Sequence, residues 1–313
     1  MLKTIVIALG GNALIKRGER GEYRKYIENL YKGCRDIIKI ILDGHRVVIT
    51  HGNGPQIGDI FLQQEMLRER IPPMPLDVCG AMSQGMIGYM IQQVLENLLL
   101  ERDIDKRVVI IFTRTLVDLD DKAFKNPTKP IGFYYSERQA IKLMEKRGWH
   151  MRKDMNGMWR RVVPSPDPIH IVEIDAIKTL VKKNFIVIAV GGGGIPVVRK
   201  NNKIIGVEAV IDKDLASQIL ATSINADEML ILTNVQYVYL NYGKRDQRAL
   251  RRISLRKIEK YYEEGQFPPG SMGPKILASI RFIKSGGKRV IISSIDKAYK
   301  AFKGETGTEI YPG

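Results

Sequence analysis

The sequence predicts an α/β protein: a three-layer αβα sandwich with a mostly parallel central sheet, helices on both faces, and a protruding lid subdomain. Three observations predict it. The period of the hydrophobic pattern switches repeatedly between strand-like runs and helical stripes, the alternation that builds parallel sheets covered on both sides. Three glycine-rich loops each follow directly on an apolar run. Between about residues 118 and 168 the rhythm breaks, and five prolines (Pro127, Pro130, Pro164, Pro166, Pro168) collect there with both tryptophans.

The elements follow in order. Residues 3–9 are an apolar strand that runs into Gly10-Gly11-Asn12, so this start reads as a first core strand, not a signal peptide. Ile27, Leu30, Cys34, Ile37, Ile38 and Ile41 recur at helical spacing, and Asp43-Gly44 supplies a left-handed C-terminal stop. Residues 46–50 form a β-branched strand, followed by Gly52-Asn53-Gly54. Helical patterns cover residues 57–70 and 81–102, and a strand covers 107–113. After the lid the alternation resumes with a helix at 173–183, a strand at 185–189 and the loop Gly191-Gly192-Gly193-Gly194. A helix at 213–223, a strand at 228–232, helices at 254–263 and 274–285, and a strand at 289–292 complete the pattern. No internal repeat or low-complexity tract interrupts it.

Composition removes several classes of function. With 313 residues, 44% hydrophobic and 27% charged, the chain can bury a sizeable core arranged as two lobes. No apolar run reaches the roughly 18 residues needed to cross a bilayer, which argues against a membrane partner. Two cysteines, Cys34 and Cys79, make no disulfide framework and read as reduced thiols of a cytoplasmic protein. His45, His51, His150 and His170 lack zinc-site spacing, so no metal-ligating set is expected. The net charge of +16 is spread along the chain without a basic tail or an aromatic-interleaved motif. It reads as a solvated surface that also attracts small polyanions, not as a nucleic-acid interface.

The chemistry lies in the loops. Glycine at a strand's carboxyl end lets backbone N–H groups approach a phosphate, and a following helix N-terminus adds favourable potential. One such loop is as readily a tight turn; three in one chain point to an anion site. There is no G-x-x-x-x-G-K-[ST] sequence, and Gly52-Asn53-Gly54-Pro55-Gln56-Ile57-Gly58 does not have dinucleotide-loop spacing. Three lysines stand in unusual settings. Lys129 lies between Pro127 and Pro130, Lys213 between Asp212 and Asp214 at a helix start, and Lys275 just after Gly273-Pro274 at another. A helix N-terminus disfavours a cation, so an anion must compensate Lys213 and Lys275, with Asp214 available either to do so or to orient Lys213. Lysines and glycine amides around a phosphate suit phosphoryl transfer, which needs positioning and positive charge more than covalent help. No Ser-His-Asp or Cys-His arrangement accompanies them.

Together these stretches resemble the carbamate kinases of the amino-acid-kinase superfamily over nearly the whole chain. The matching segments are Ala8-Leu9-Gly10-Gly11-Asn12-Ala13-Leu14, Thr50-His51-Gly52-Asn53-Gly54-Pro55-Gln56, Asp77-Val78-Cys79-Gly80-Ala81-Met82-Ser83-Gln84-Gly85 and Val207-Glu208-Ala209-Val210-Ile211-Asp212-Lys213-Asp214. More specific are Asn126-Pro127-Thr128-Lys129-Pro130 and Arg160-Arg161-Val162-Val163-Pro164-Ser165-Pro166. The resemblance implies an N-terminal lobe (residues 1–195, with the lid at 118–168) for carbamate or carbamoyl phosphate, and a C-terminal lobe (196–313) for ATP or ADP. It implies that Lys213 and Lys275, oriented by Asp214, stabilise the transferring phosphoryl group, and that Lys129 closes over the substrate. Gly10, Gly11, Asn12, Gly52, Asn53, Gly54, Gly192 and Gly193 would hold the substrate side. Thr233, Tyr242, Met272 and Gly273 would line the nucleotide site beside Lys275. Mg²⁺ and a homodimer are implied as well. The sequence departs from many members at Thr233-Asn234, where an acidic residue is common. Within the same fold, rival acceptors are an acylamino acid, a nucleoside monophosphate or an isoprenoid phosphate; the lid sequence argues against them.

Overall fold

The structure, a computed structural model, describes all residues except 1, 12, 13, 16–18, 20, 155 and 156. Its central sheet runs in the order Arg252–Ser254, Thr308–Tyr311, Arg289–Ser294, Glu228–Thr233, Thr4–Leu9, Arg46–His51, Ile186–Ile188, Val108–Ile110. The last six are mutually parallel. Thr308–Tyr311 is antiparallel to Arg289–Ser294, and Arg252–Ser254 joins its other side in parallel.

Side-chain alternation divides each central strand between two cores. Val6, Ala8, Val48, Val187, Met229 and Ile231 face one, with Ile177, Leu220 and Ile276 from the covering helices. Ile5, Ile7, Leu9, Val47, Ile49 and Leu230 face the other, with Leu30, Ile37, Ile91 and Leu95. This is why the strands read as continuous apolar runs: both faces are buried. The predicted three layers are present. The order of strands also fixes where ligands go. From Thr4–Leu9 the chain builds outward first through Arg46–His51 and later through Glu228–Thr233, leaving a crevice beyond the carboxyl ends at the point of reversal.

Several boundaries differ from the periodicity. The second helix is Gly54–Leu67, starting three residues before the predicted point because Pro55 sits in its first turn with a preset φ. The third is Leu76–Leu100, starting right after Pro75. The predicted helix at 213–223 is Lys213–Ser223, with Asp212 capping the amides of Asp214 and Leu215. The sheet does not end with Arg289–Ser294: a short helix, Ala298–Phe302, leads to Thr308–Tyr311.

The lid is a separate antiparallel sheet, with Trp159–Val163 between Lys129–Tyr135 and Met151–Lys153. Its helix, Glu137–Arg147, opens on a reciprocal Ser136–Gln139 cap and closes on Gly148 at φ +62. The chain leaves for the lid through Arg114–Leu116 and returns through His170–Ile171. These two strands pair with each other as a fixed stem.

Candidate active site

The glycine loops form the floor of the crevice. Gly10 donates its amide to the Leu232 carbonyl at 2.8 Å and Gly52 donates to Leu9 at 2.9 Å, so the loops after neighbouring strands are tied together. A Cβ on Gly10 would stand 2.9 Å from the Leu232 oxygen, and one on Gly52 3.1 Å from the Gly11 amide nitrogen. Asn12 of the first loop lies outside the described residues. The third loop turns under strain: buried, β-branched Val190 is at φ +54, and Gly192 and Gly193 follow at +64 and +92. Gln84 and Thr113 hold this turn, Gln84 through the Thr113 backbone and Thr113 through its hydroxyl to the Val190 amide at 3.0 Å.

Above the floor stand the lysines. Lys213 Nζ donates to Asp214 Oδ1 at 2.5 Å and Lys275 Nζ donates to Asp214 Oδ2 at 2.9 Å, so one buried carboxylate holds two ammonium groups. Lys129, arriving from the lid, donates to Asp212 Oδ2 at 3.1 Å, while Asp212 Oδ1 caps the helix. Ser217 ties this helix to the strand Arg46–His51: its hydroxyl donates to the Lys213 carbonyl and meets the Thr50 hydroxyl, both at 2.6 Å. Asp214 thus compensates both lysines at the helix starts.

Electrostatics follow from burial against pairing. Burial opposes the charge on Asp214, but the two ammonium groups outweigh it and hold the carboxyl well below its usual range. Burial also lowers the Lys213 pKa, with Asp214 opposing and Lys275 adding to the fall. For Lys275 burial is outweighed by Asp214, and its pKa rises. The enclosed His51 is driven down to about 4 by burial, with Lys213 contributing, so it stands neutral at physiological pH.

Two clefts open around this cluster. The smaller, about 410 Å³, is lined by Gly10, Gly11, Thr233, Tyr242, Met272 and Lys275. The larger, about 810 Å³, lies under the lid and is lined by Gly54, Lys129, Arg160, Asp212 and Leu215 among others; Gly270 belongs to both. Gly192 and Gly193 line neither: they are buried, one against the Asn53 side chain and the other against the Ile211 carbonyl. Asn53 is itself buried and donates to Ser83 Oγ at 2.8 Å, and Gly273 is buried with its amide on the Pro268 carbonyl. Sequence reasoning does not single out Arg160, which stacks on Tyr134 in the larger cleft, or Tyr239, which packs beside Tyr242 at the smaller. The doubled arginine of 160–161 and the tyrosines at 237, 239 and 242 are the signals that point to them.

No group of three His, Cys, Asp or Glu among the described residues could hold a metal ion. Asp212 and Asp214 are occupied by lysines and helix amides. A divalent cation at this site fits only as one borne mainly by substrate phosphates and water, the usual habit of Mg²⁺.

A floor of glycine loops without a P-loop, a buried lysine–carboxylate cluster and two clefts beside it that share Gly270 define a small-molecule kinase. The model of the amino acid kinase family matches residues 3–294. Carbamate kinases of Pyrococcus horikoshii and Pyrococcus furiosus are 54% and 52% identical to the chain, each covering 100% of both sequences. Among solved structures, the carbamate kinase from Giardia lamblia bound to AMP-PNP superposes with a TM-score of 0.95 at 46% identity, over 100% of this chain and 99% of that one. The chain belongs to the amino acid kinase family and, within it, to the carbamate kinases.

Proposed function

We propose that the protein transfers a phosphoryl group reversibly between ATP and carbamate, giving ADP and carbamoyl phosphate. The observation that carries this reading is the Lys213–Asp214–Lys275 cluster, with Lys275 on the wall of the smaller cleft and Asp212, next to Lys213, on the wall of the larger. ATP occupies the smaller cleft, built mainly from residues of 196–313, with Tyr242 and Met272 along its wall and Thr233 and Gly273 at its base. That the Giardia relative binds AMP-PNP supports a nucleotide as substrate. Carbamate occupies the larger cleft, built mainly from residues of 1–195, under Lys129.

A carbamate oxygen attacks the γ-phosphorus from one side as the bond to the β-phosphate oxygen breaks on the other. Lys213 and Lys275 stand where negative charge gathers, pre-set by Asp214, so little reorganisation accompanies the step. Gly10 and Gly11 in the smaller cleft and Gly54 in the larger present backbone to the phosphates, while buried Gly52 and Asn53 support these loops from below. Gly192 acts from beneath by leaving room for the Asn53 side chain, and Gly193 by leaving room for the Ile211 carbonyl just before Asp212 and Lys213. Mg²⁺, borne by the nucleotide's phosphates and water, would supply further positive charge there beside Lys213 and Lys275.

The working form is a homodimer. Met82, Met86 and Tyr89 are exposed along one face of the Leu76–Leu100 helix, close to exposed Phe112, which approaches Gly85. An apolar face of this kind fits burial against a second copy. Cytoplasmic work agrees with two unpaired, buried cysteines. The direct test is a coupled assay for ATP formation from ADP and carbamoyl phosphate with Mg²⁺. Rapid, saturable ATP formation is expected; turnover of a different acceptor with no ATP from carbamoyl phosphate would overturn the assignment.

A further inference from the structure

A third cavity, of about 520 Å³, lies between the lid and the Gly54–Leu67 helix and shares no lining residue with either cleft. Its walls carry three guanidinium groups, Arg68, Arg147 and Arg161, against two carboxylates, Glu65 and Glu208. Glu65 is shared: it stands 3.2 Å from Arg68 Nε and 3.9 Å from Arg147 Nε. Arg161 is stacked between Phe61 at 4.5 Å and Trp149 at 4.6 Å and gives one nitrogen to Glu208 at 3.1 Å. Its Nη1, on a residue only 7% exposed, has no hydrogen-bond partner among the described residues. Burial opposes this charge even with Glu208 beside it. A buried guanidinium with an open donor is costly unless something anionic completes it.

We infer that this cavity is an effector site for a small organic or inorganic anion bearing phosphate or carboxylate oxygens. The planar forks of three arginines match such oxygens, and Trp149 and Phe61 offer apolar walls to the rest of the molecule. The site is wired to the chemistry by short stretches of chain. Pro127 on its wall is two residues from Lys129, and Glu208 is four residues from Asp212, the pair that brings lid and core together. An occupant that favours one setting of the lid changes carbamate affinity by the usual coupling range, roughly 5–150-fold. Binding stands independently of the phosphotransfer reading; the coupling rests on it.

The test uses the full chain carrying Trp159→Phe, which leaves Trp149, on the cavity wall, as the reporter. Inorganic phosphate and succinate are titrated separately, and the arm that responds names the oxygen chemistry. A saturable change in Trp149 emission in the millimolar range or below is expected. It should survive Lys129→Ala and be lost in both Arg147→Gln and Arg68→Gln, whose basal ATP-forming activity stays unchanged. The KM for carbamate should shift with the same anion in the parent and not in those variants. No saturable response to either anion, or one that persists in both arginine variants, overturns the site. Binding without any KM shift overturns the coupling.

Discussion

Replacing Asp214 by asparagine is the sharpest test of the catalytic role proposed for the lysine–carboxylate cluster. The carboxylate lies between ammonium groups at 2.5 and 2.9 Å, and its side chain is 4% exposed. Asparagine keeps the shape and removes the charge, leaving two like charges facing each other with only the more distant Asp212 to offset them. Removing one partner of a buried ion pair costs about 3–5 kcal/mol. Here that figure is an upper bound on lost stability, because Lys213 can shed its proton instead. Catalysis has no such escape. Unsettling one preorganised donor costs about 10²–10³ in kcat, and a neutral Lys213 is a lost donor. The pH profile carries the signature. Burial already lowers the Lys213 pKa, and Asp214 is its chief opposing influence. Without that carboxylate the pKa falls further, so the loss of activity on the alkaline side moves to lower pH. The assay is kcat for ATP formation from carbamoyl phosphate across neutral and alkaline pH, with urea unfolding in parallel. A kcat within a few-fold of the parent and an unmoved alkaline limb would refute the pairing as the organiser of the site.

Three further outcomes are expected. Lys275→Ala should lower kcat by about 10²–10³ with a much smaller change in the denaturation midpoint, read by steady-state kinetics beside urea unfolding. Gly192→Ala places a Cβ 2.2 Å from Asn53 Nδ2 at φ +64. It should cost at least about 1–2 kcal/mol of stability and raise KM for carbamoyl phosphate by displacing Asn53. His51 has a folded pKa of about 4, below the ordinary value of 6.5, so the folded state binds fewer protons between them. Stability should therefore fall as pH drops from 6.5 through 4, by up to roughly 3 kcal/mol; His51→Asn, followed by urea midpoints over that range, should flatten the decline.

The hydrophobic period makes the parallel core legible because its strands are buried on both faces and its helices on one. The Lys213–Ser223 helix can be bounded to the residue, since Asp212 announces its cap. Three-residue strands such as Arg252–Ser254 carry no usable period. Ile204 and Ile205, on a hairpin strand open to solvent, contradict the rule that apolar means buried. The lid reads only as an interruption, although Ser136-x-x-Gln139 and Gly148 mark a capped helix inside it. At the site, Lys213 and Lys275 are conspicuous because a helix start is an unfavourable place for a cation. Arg160 is not: its meaning comes from Tyr134 and Lys129, which only the folded lid brings beside it.

Asp212 gives one oxygen to the amide of Asp214 and the other to Lys129 across 83 residues of sequence. A single carboxylate therefore serves two masters with different demands. Asparagine could still accept from the amides but would drop the lysine; glutamate could still greet the lysine but would reach past the amides. No ordinary substitution keeps both, so the start of the Lys213–Ser223 helix and the first strand of the lid are bound to vary together or not at all.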